Sequence, residues 1–357
     1  IVSNNELRFK GIGDVDFIGD ANLSGSVRAQ SLSHEPNTTP SLNFTGNVTL
    51  TGAMEFQGTS ANFANGVEAA ENDLTLNFTQ TLTPDSFSNV GNFTSVGAVD
   101  LNGNFTTSGS QTYEGNVNLS ADTELAATTV EFEGGVDGNY RNLTLSPSSS
   151  FIKLDGITLS DVDKLTIGGD LELNGSLSAS EINIQGNTTL IGDANLTASV
   201  VSCISVPKID FFGTIDGGHA FALNGNVTFN GAIGDQNPLT SLTVVGGTAS
   251  LNGNVTTIGD QTFESQVTIS SDTTFSGNNT SFAGFDGAGY NVTFNSADTQ
   301  IDADASSFAN VADLTVTGTS TLNGSIATSG SQTYNAGASL DGDTTLSGTA
   351  ASFSSNI

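Results

Sequence analysis

Basic residues are what this chain has least of. Lys and Arg total 7 against 37 Asp and Glu, a formal net charge of −30 over 357 residues. The acids are not in excess; it is the bases that are missing. Phosphate contacts need Lys and Arg, so nucleic-acid binding is not expected. Anionic membrane surfaces and acidic substrates are disfavoured on the same ground, whereas cations such as Ca²⁺ are not. The single cysteine, Cys203, excludes an intramolecular disulfide and a Cys-rich zinc site. Trp is absent, Met occurs once and Pro six times. No apolar run approaches the ~18 residues of a membrane helix, so no membrane insertion is expected. The chain opens on Ile1 with no signal peptide, which reads as a processed protein or an excerpt of a longer one.

What is present is small and polar. Gly (42), Ser (43), Thr (46) and Asn (36) make up nearly half of the residues. Such a mixture could be disordered, but 22 Phe and regular Val, Ile and Leu supply a core.

The sequence repeats itself along its length. The element Leu-Asn-Gly, or Leu-Ser-Gly, recurs with its leucine at Leu23, Leu101, Leu173, Leu251 and Leu322, a nearly constant interval. Residues 99–125 align with 249–275 and 320–346. A second element, FEGGVDGNYRNLTL at 132–145, matches 282–294 and, more loosely, 211–223. A third, SFSNVGNFTSVG at 86–97, matches 307–318, and IGDANL occurs at both 18–23 and 191–196. The chain is an array, with units of roughly 1–60, 61–131, 132–211, 212–281 and 282–357.

Within each unit, runs of four to six residues alternate apolar and polar, as in Val48-Thr49-Leu50, Leu143-Thr144-Leu145 and Val227-Thr228-Phe229. Turn-forming Gly-Asn, Asn-Gly, Gly-Asp and Ser-Gly pairs separate them, which predicts short strands. No amphipathic helix of useful length is found. Tandem sandwiches would need ~90–100 residues per domain. The shorter unit instead favours a single all-β, right-handed parallel β-helix with three to four coils per ~71–78-residue unit. About 16 coils at ~4.8 Å would make a rod of roughly 75–80 Å. Neither end reads as capped, so the array is expected to continue in a longer chain or to stack end to end.

The pattern SLTVxGxxxLNGxVxTxGxQTYxxxVxLxxDTTLxG, followed by FxGxVDGxxxxLTF, resembles the repeats of filamentous-haemagglutinin-like, two-partner-secretion and autotransporter-associated β-strand-repeat surface proteins. The resemblance covers most of the chain, best at 84–145 and 239–353 and weakest across 24–60 and 176–210. It implies an extracellular β-helical rod at the cell surface, acting in adhesion, biofilm cohesion or fibre formation. Expected partners are other copies of the chain, surface glycans or other cells. No secretion or anchoring domain is recognisable.

Candidate chemistry is sparse. Asn-x-Ser/Thr occurs 18 times, about twice chance, for example at Asn47, Asn92, Asn104, Asn226, Asn254 and Asn291. These are glycosylation acceptors if the host modifies them, and otherwise a turn-then-strand motif that repeats. The acidic pairs Asp14/Asp16, Asp161/Asp163, Asp302/Asp304 and Asp341/Asp343 have the spacing that puts two carboxylates on one side of a strand. Solvated turns are the plain reading. Calcium at Asp302 and Asp304, with Asp298 nearby, is the metal reading; no other cofactor is required. Asp137, Asp216 and Asp286 recur in the Asp-Gly turn of the second element, and Asn102, Asn174, Asn252 and Asn323 in Leu-Asn-Gly. His34 and His219 lie far apart in the chain without a third ligand, and Cys203 sits in an apolar run. The seven scattered bases leave few trypsin-type cleavage sites.

These observations predict a non-enzymatic extracellular structural or adhesive protein, either a filament subunit or the stalk of a large adhesin. The alternative is a polysaccharide-binding or polysaccharide-degrading β-helix. A glycosidase needs two carboxylates converging at ~5–10 Å, and here the acids are spread through turns. Binding of carbohydrate or ice by Thr rows is a further reading, but no regular Thr-x-Thr ladder is visible at one coil period.

Overall fold

The computed structural model describes residues 2–3, 7–10, 15–18, 21–30, 41–78, 87–147, 151–198, 208–302 and 308–357. The protein is an all-β parallel β-solenoid of about 15 turns. Among the described residues there is no helix. Two compact units divide the chain, Ile1–Gly169 and Asp170–Ile357.

Each turn feeds three ladders of parallel strands. In the first unit one inward row runs Met54, Leu74, Phe93, Gln111, Val130 and Ile152. A second runs Val99, Val117, Val136 and Leu159, and a third Phe105, Leu125, Leu145 and Ile167. A separate three-stranded ladder joins Val15–Phe17, Ser41–Phe44 and Ser60–Phe63. The strands read buried–half-buried–buried, as in Phe93–Ser95 and Val99–Leu101, because successive side chains point to opposite faces. Aromatic rings stack along the rows: Phe17 on Phe44 at 4.3 Å, Phe44 on Phe63 at 5.1 Å, Tyr113 on Phe132 at 5.2 Å. Each buried Phe contributes roughly 1.5–3 kcal/mol by area, and here it can do so only against the turn above and below.

At one corner the turns come too close for any side chain. A Cβ added to Gly115 would collide with the Gly97 carbonyl, and one on Gly134 with that of Gly115. Glycine at these places is dictated by the stacking distance.

The second unit follows the same plan. Its inward rows include Ile182, Ile209, Val227, Ala249, Val267 and Phe285, and Phe275, Phe294, Val316, Tyr334 and Phe353. Turn length varies: Leu171 pairs with Thr188 across a short turn, but Thr188 pairs with Ile215 across a much longer one. The sequence repeat is not a whole number of turns. Leu251 lies in the row Phe229–Leu251–Ile269, whereas Leu322 lies in Ile301–Leu322–Leu340, on another ladder. All five repeat leucines are nevertheless buried.

Candidate functional site

The residues singled out as chemical candidates are mostly spent on holding one turn to the next. The Oδ1 atoms of Asn92, Asn104, Asn226, Asn254 and Asn291 each accept a backbone N–H from the following turn, from Ser110, Glu124, Thr248, Thr274 and Asp313 at 2.8–3.1 Å. Asn92 and Asn291 also donate their Nδ2 groups to Asp73 and Asp272 of the preceding turn. The result is a polar file along the corner of the second unit, Asp272 to Asn291 to Asp313 to Ser331. The Ser331 N–H and hydroxyl both donate to the Asp313 carboxylate and hold its pKa below the ordinary value. Asn47 lies in the strand-entry position before Val48–Gly58.

A second device is buried. In the aligned segments Gln111, Gln261 and Gln332 are all but fully enclosed. Each Nε2 donates to the carbonyl six residues back, on Phe105, Val255 or Ile326, and to one fifteen residues on, on Ala126, Ser276 or Ser347. A threonine four residues before each, Thr107, Thr257 or Thr328, closes the corner by donating to the carbonyl of Gly109, Gly259 or Gly330. The Oε1 atoms differ. Tyr113 and Tyr334 donate their hydroxyls to Gln111 and Gln332, and burial raises the pKa of both phenols. Phe263 has no hydroxyl to give, and Gln261 Oε1 is left without a partner.

A third device was visible in the sequence only in part, through the recurring Asp-Gly turn of Asp137 and Asp286. Among the described residues eight non-glycine residues have positive φ, and all eight fall in three copies of one paired turn. An acid on one turn, Glu68, Asp137 or Asp286, accepts the N–H two residues on, from Ala70, Asn139 or Ala288. The next turn crosses it with a left-handed residue, Asn89, Asp161 or Asn310. Asn89 and Asn310 donate their amides to Glu68 and Asp286. That bond from Asn89, with one from the Ser88 hydroxyl, lowers the Glu68 pKa. In the third copy the equivalent left-handed residue is Asp161, a carboxylate where the others have an amide. Asp216 is used differently, accepting the N–H groups of Gln236 and Asn237.

Of the proposed calcium ligands, the Asp298 carboxylate accepts the Thr319 hydroxyl at 2.9 Å. Asp304 and the side chain of Asp302 lie outside the described residues, as do His34 and Cys203. Among the described residues no three His, Cys, Asp or Glu side chains gather. The bases with described side chains include two in ion pairs. Lys153 reaches Glu131 at 2.9 Å. Lys208 reaches Asp210 at 2.9 Å and Glu181 at 3.3 Å, and the hydrogen bond to Asp210 raises its pKa.

A single-file threonine row does form, although no regular Thr-x-Thr ladder holds at one coil period. Thr274, Thr293, Thr315 and Thr333 stack on four successive turns. Variable turn length hides the row in the sequence. On another face of the second unit an outward file runs Ser176, Asn195, Ala222, Thr243 and Thr262. It continues through Ser281, Gln300 and Thr321 to Ser339. At its start an open groove of about 300 Å³ is floored by Gly175, Ala194, Ala220 and Ala222. Asp193 stands on its rim, accepting the Ala220 N–H at 3.0 Å, with His219 Nδ1 3.9 Å away.

No family model, curated protein or solved structure matches this chain.

Proposed function

We propose that the chain is an extracellular structural or adhesive element, a surface-displayed β-solenoid that serves as a filament subunit or as the stalk of a large adhesin. The observation that carries this reading is where the polar chemistry goes. Asn, Asp, Gln and Thr side chains at repeated positions bond turn to turn, so they reinforce a stack. The resemblance to bacterial surface-repeat proteins points the same way, and the scarcity of Lys and Arg suits a protein exposed to proteases. Its partners on this reading are further copies of itself, or the glycans and cells it meets.

Display of the chain on a non-adherent bacterium tests it. Attachment to surfaces or cell–cell clumping that tracks display level is the expected result. Display without attachment, together with turnover of a polysaccharide by the purified chain, would overturn it. The intact mass of the native polypeptide separates the two forms: a mass near 36.3 kDa fits a filament subunit, a much larger one a stalk.

A further inference from the structure

The outward file from Ser176 to Ser339 crosses nine successive turns of the second unit without one charged side chain. It does so in a unit that contains 17 Asp and Glu and one Lys. The acids stand outside it: Asp210 and Asp286 share a different ladder, while Asp193, Glu264, Asp298 and Asp341 border the file, each two residues from a member. The side chains of the file are short hydroxyls, amides and one alanine. Those of Asn195, Thr243, Thr262 and Gln300 make no hydrogen bond among the described residues.

We infer that this face binds an extended, uncharged polysaccharide, seated first in the groove over Ala194, Ala220 and Ala222. The inference rests on the adhesive reading above and names its ligand. Three physical points support it. Polar groups recur at the strand spacing of about 4.8 Å, close to the rise per sugar of a flat β-1,4-linked chain, so each turn can meet one sugar. An uncharged row costs no burial of charge when a polymer covers it. The acidic remainder of the unit repels polyanions and leaves neutral polymers as the complementary class. The groove is at the lower end of ligand-site volumes, about 300 Å³, enough for a short stretch of sugar. Its lining offers the Asp193 carboxylate to sugar hydroxyls, with the His219 imidazole 3.9 Å from that carboxylate.

The test is isothermal titration of the full chain with xylohexaose, cellohexaose and, as the anionic comparator, hexagalacturonate. Binding of an uncharged hexamer and not of hexagalacturonate is expected. Ala222→Glu and Thr262→Glu put charge into the file at half-exposed positions and should each weaken binding at least tenfold, with circular dichroism and unfolding midpoint unchanged. Thr315→Glu, on the threonine row, should leave affinity as it was. Absence of binding by both uncharged hexamers at millimolar concentration overturns the inference, as does wild-type affinity in both file variants or a loss confined to Thr315→Glu. Surface attachment by displayed protein that persists in Ala222→Glu and Thr262→Glu would retire this ligand while leaving the adhesive reading standing.

Discussion

At the scale of the residue, the aligned glutamines make a natural experiment. Two of the three have a tyrosine to fill Oε1, while Gln261 faces Phe263. The rings occupy matching places: Tyr113 stacks on Phe132, Tyr334 on Phe353 and Phe263 on Phe282 at 5.5 Å. Phe263→Tyr should therefore stabilise the second unit by about 1 kcal/mol, the net worth of a hydrogen bond made to a buried orphan. Urea unfolding followed by tyrosine fluorescence reads this directly, and a loss of stability would mean the corner has no room for the hydroxyl. Asp313 offers a second test. Its native pKa lies below 3.8, so its contribution is present above that value and is lost as pH falls through the lowered one. Carboxylate NMR titration should put its midpoint below 3.8, and Ser331→Ala should move it upward. Much at this scale is legible in sequence. The excess of Asn-x-Thr arises because an Asn before a strand can cap the next turn. The orphan on Gln261 was not legible, since Tyr and Phe read alike in an apolar pattern.

At the scale of the element, strands were readable and their neighbours were not. Leu143-Thr144-Leu145 and Val227-Thr228-Phe229 lie in strands with buried outer residues, as alternation predicts. Which strand lies over which depends on turn length, and a short turn from Leu171 to Thr188 is followed at once by a long one to Ile215. The threonine row and the pairing of the turns stay hidden for that reason. The left-handed turns show the consequence. Glu68 and Asp286 receive an amide from the next turn, but beside Asp137 the position of that amide is taken by Asp161, the residue after its ladder partner Ser160, and only the register reveals this. Asp161 has φ of 55°, a conformation Asn adopts more readily than most residues. Asp161→Asn should restore the carboxylate–amide bond and stabilise the first unit by up to about 1 kcal/mol. A chemical-denaturation midpoint that falls instead would show that the second carboxylate has a partner of its own.

At the scale of the whole molecule the governing fact is a net charge of −30 on a stack whose turns are about 4.8 Å apart. Carboxylates on successive turns of one row would repel strongly, and the corner file avoids this by alternation: Asp272, Asn291, Asp313, Ser331. The acids are thereby held two turns apart, roughly 10 Å, close to the Debye length at 0.1 M salt. At ~10 mM salt the screening length grows to about 30 Å and every acid feels several others. Raising NaCl from ~10 to ~150 mM should therefore raise the thermal unfolding midpoint, most steeply at the low end, and the gain should shrink near pH 4 as carboxylates protonate. The same titration addresses calcium. Screening depends on ionic strength and valence, so CaCl₂ and MgCl₂ at equal concentration should stabilise alike. A Ca²⁺ gain well beyond that of Mg²⁺ would require a site of fixed geometry, for which Asp298, Asp302 and Asp304 are the first residues to substitute. Equal gains would assign the cation response to the charge pattern of the stack.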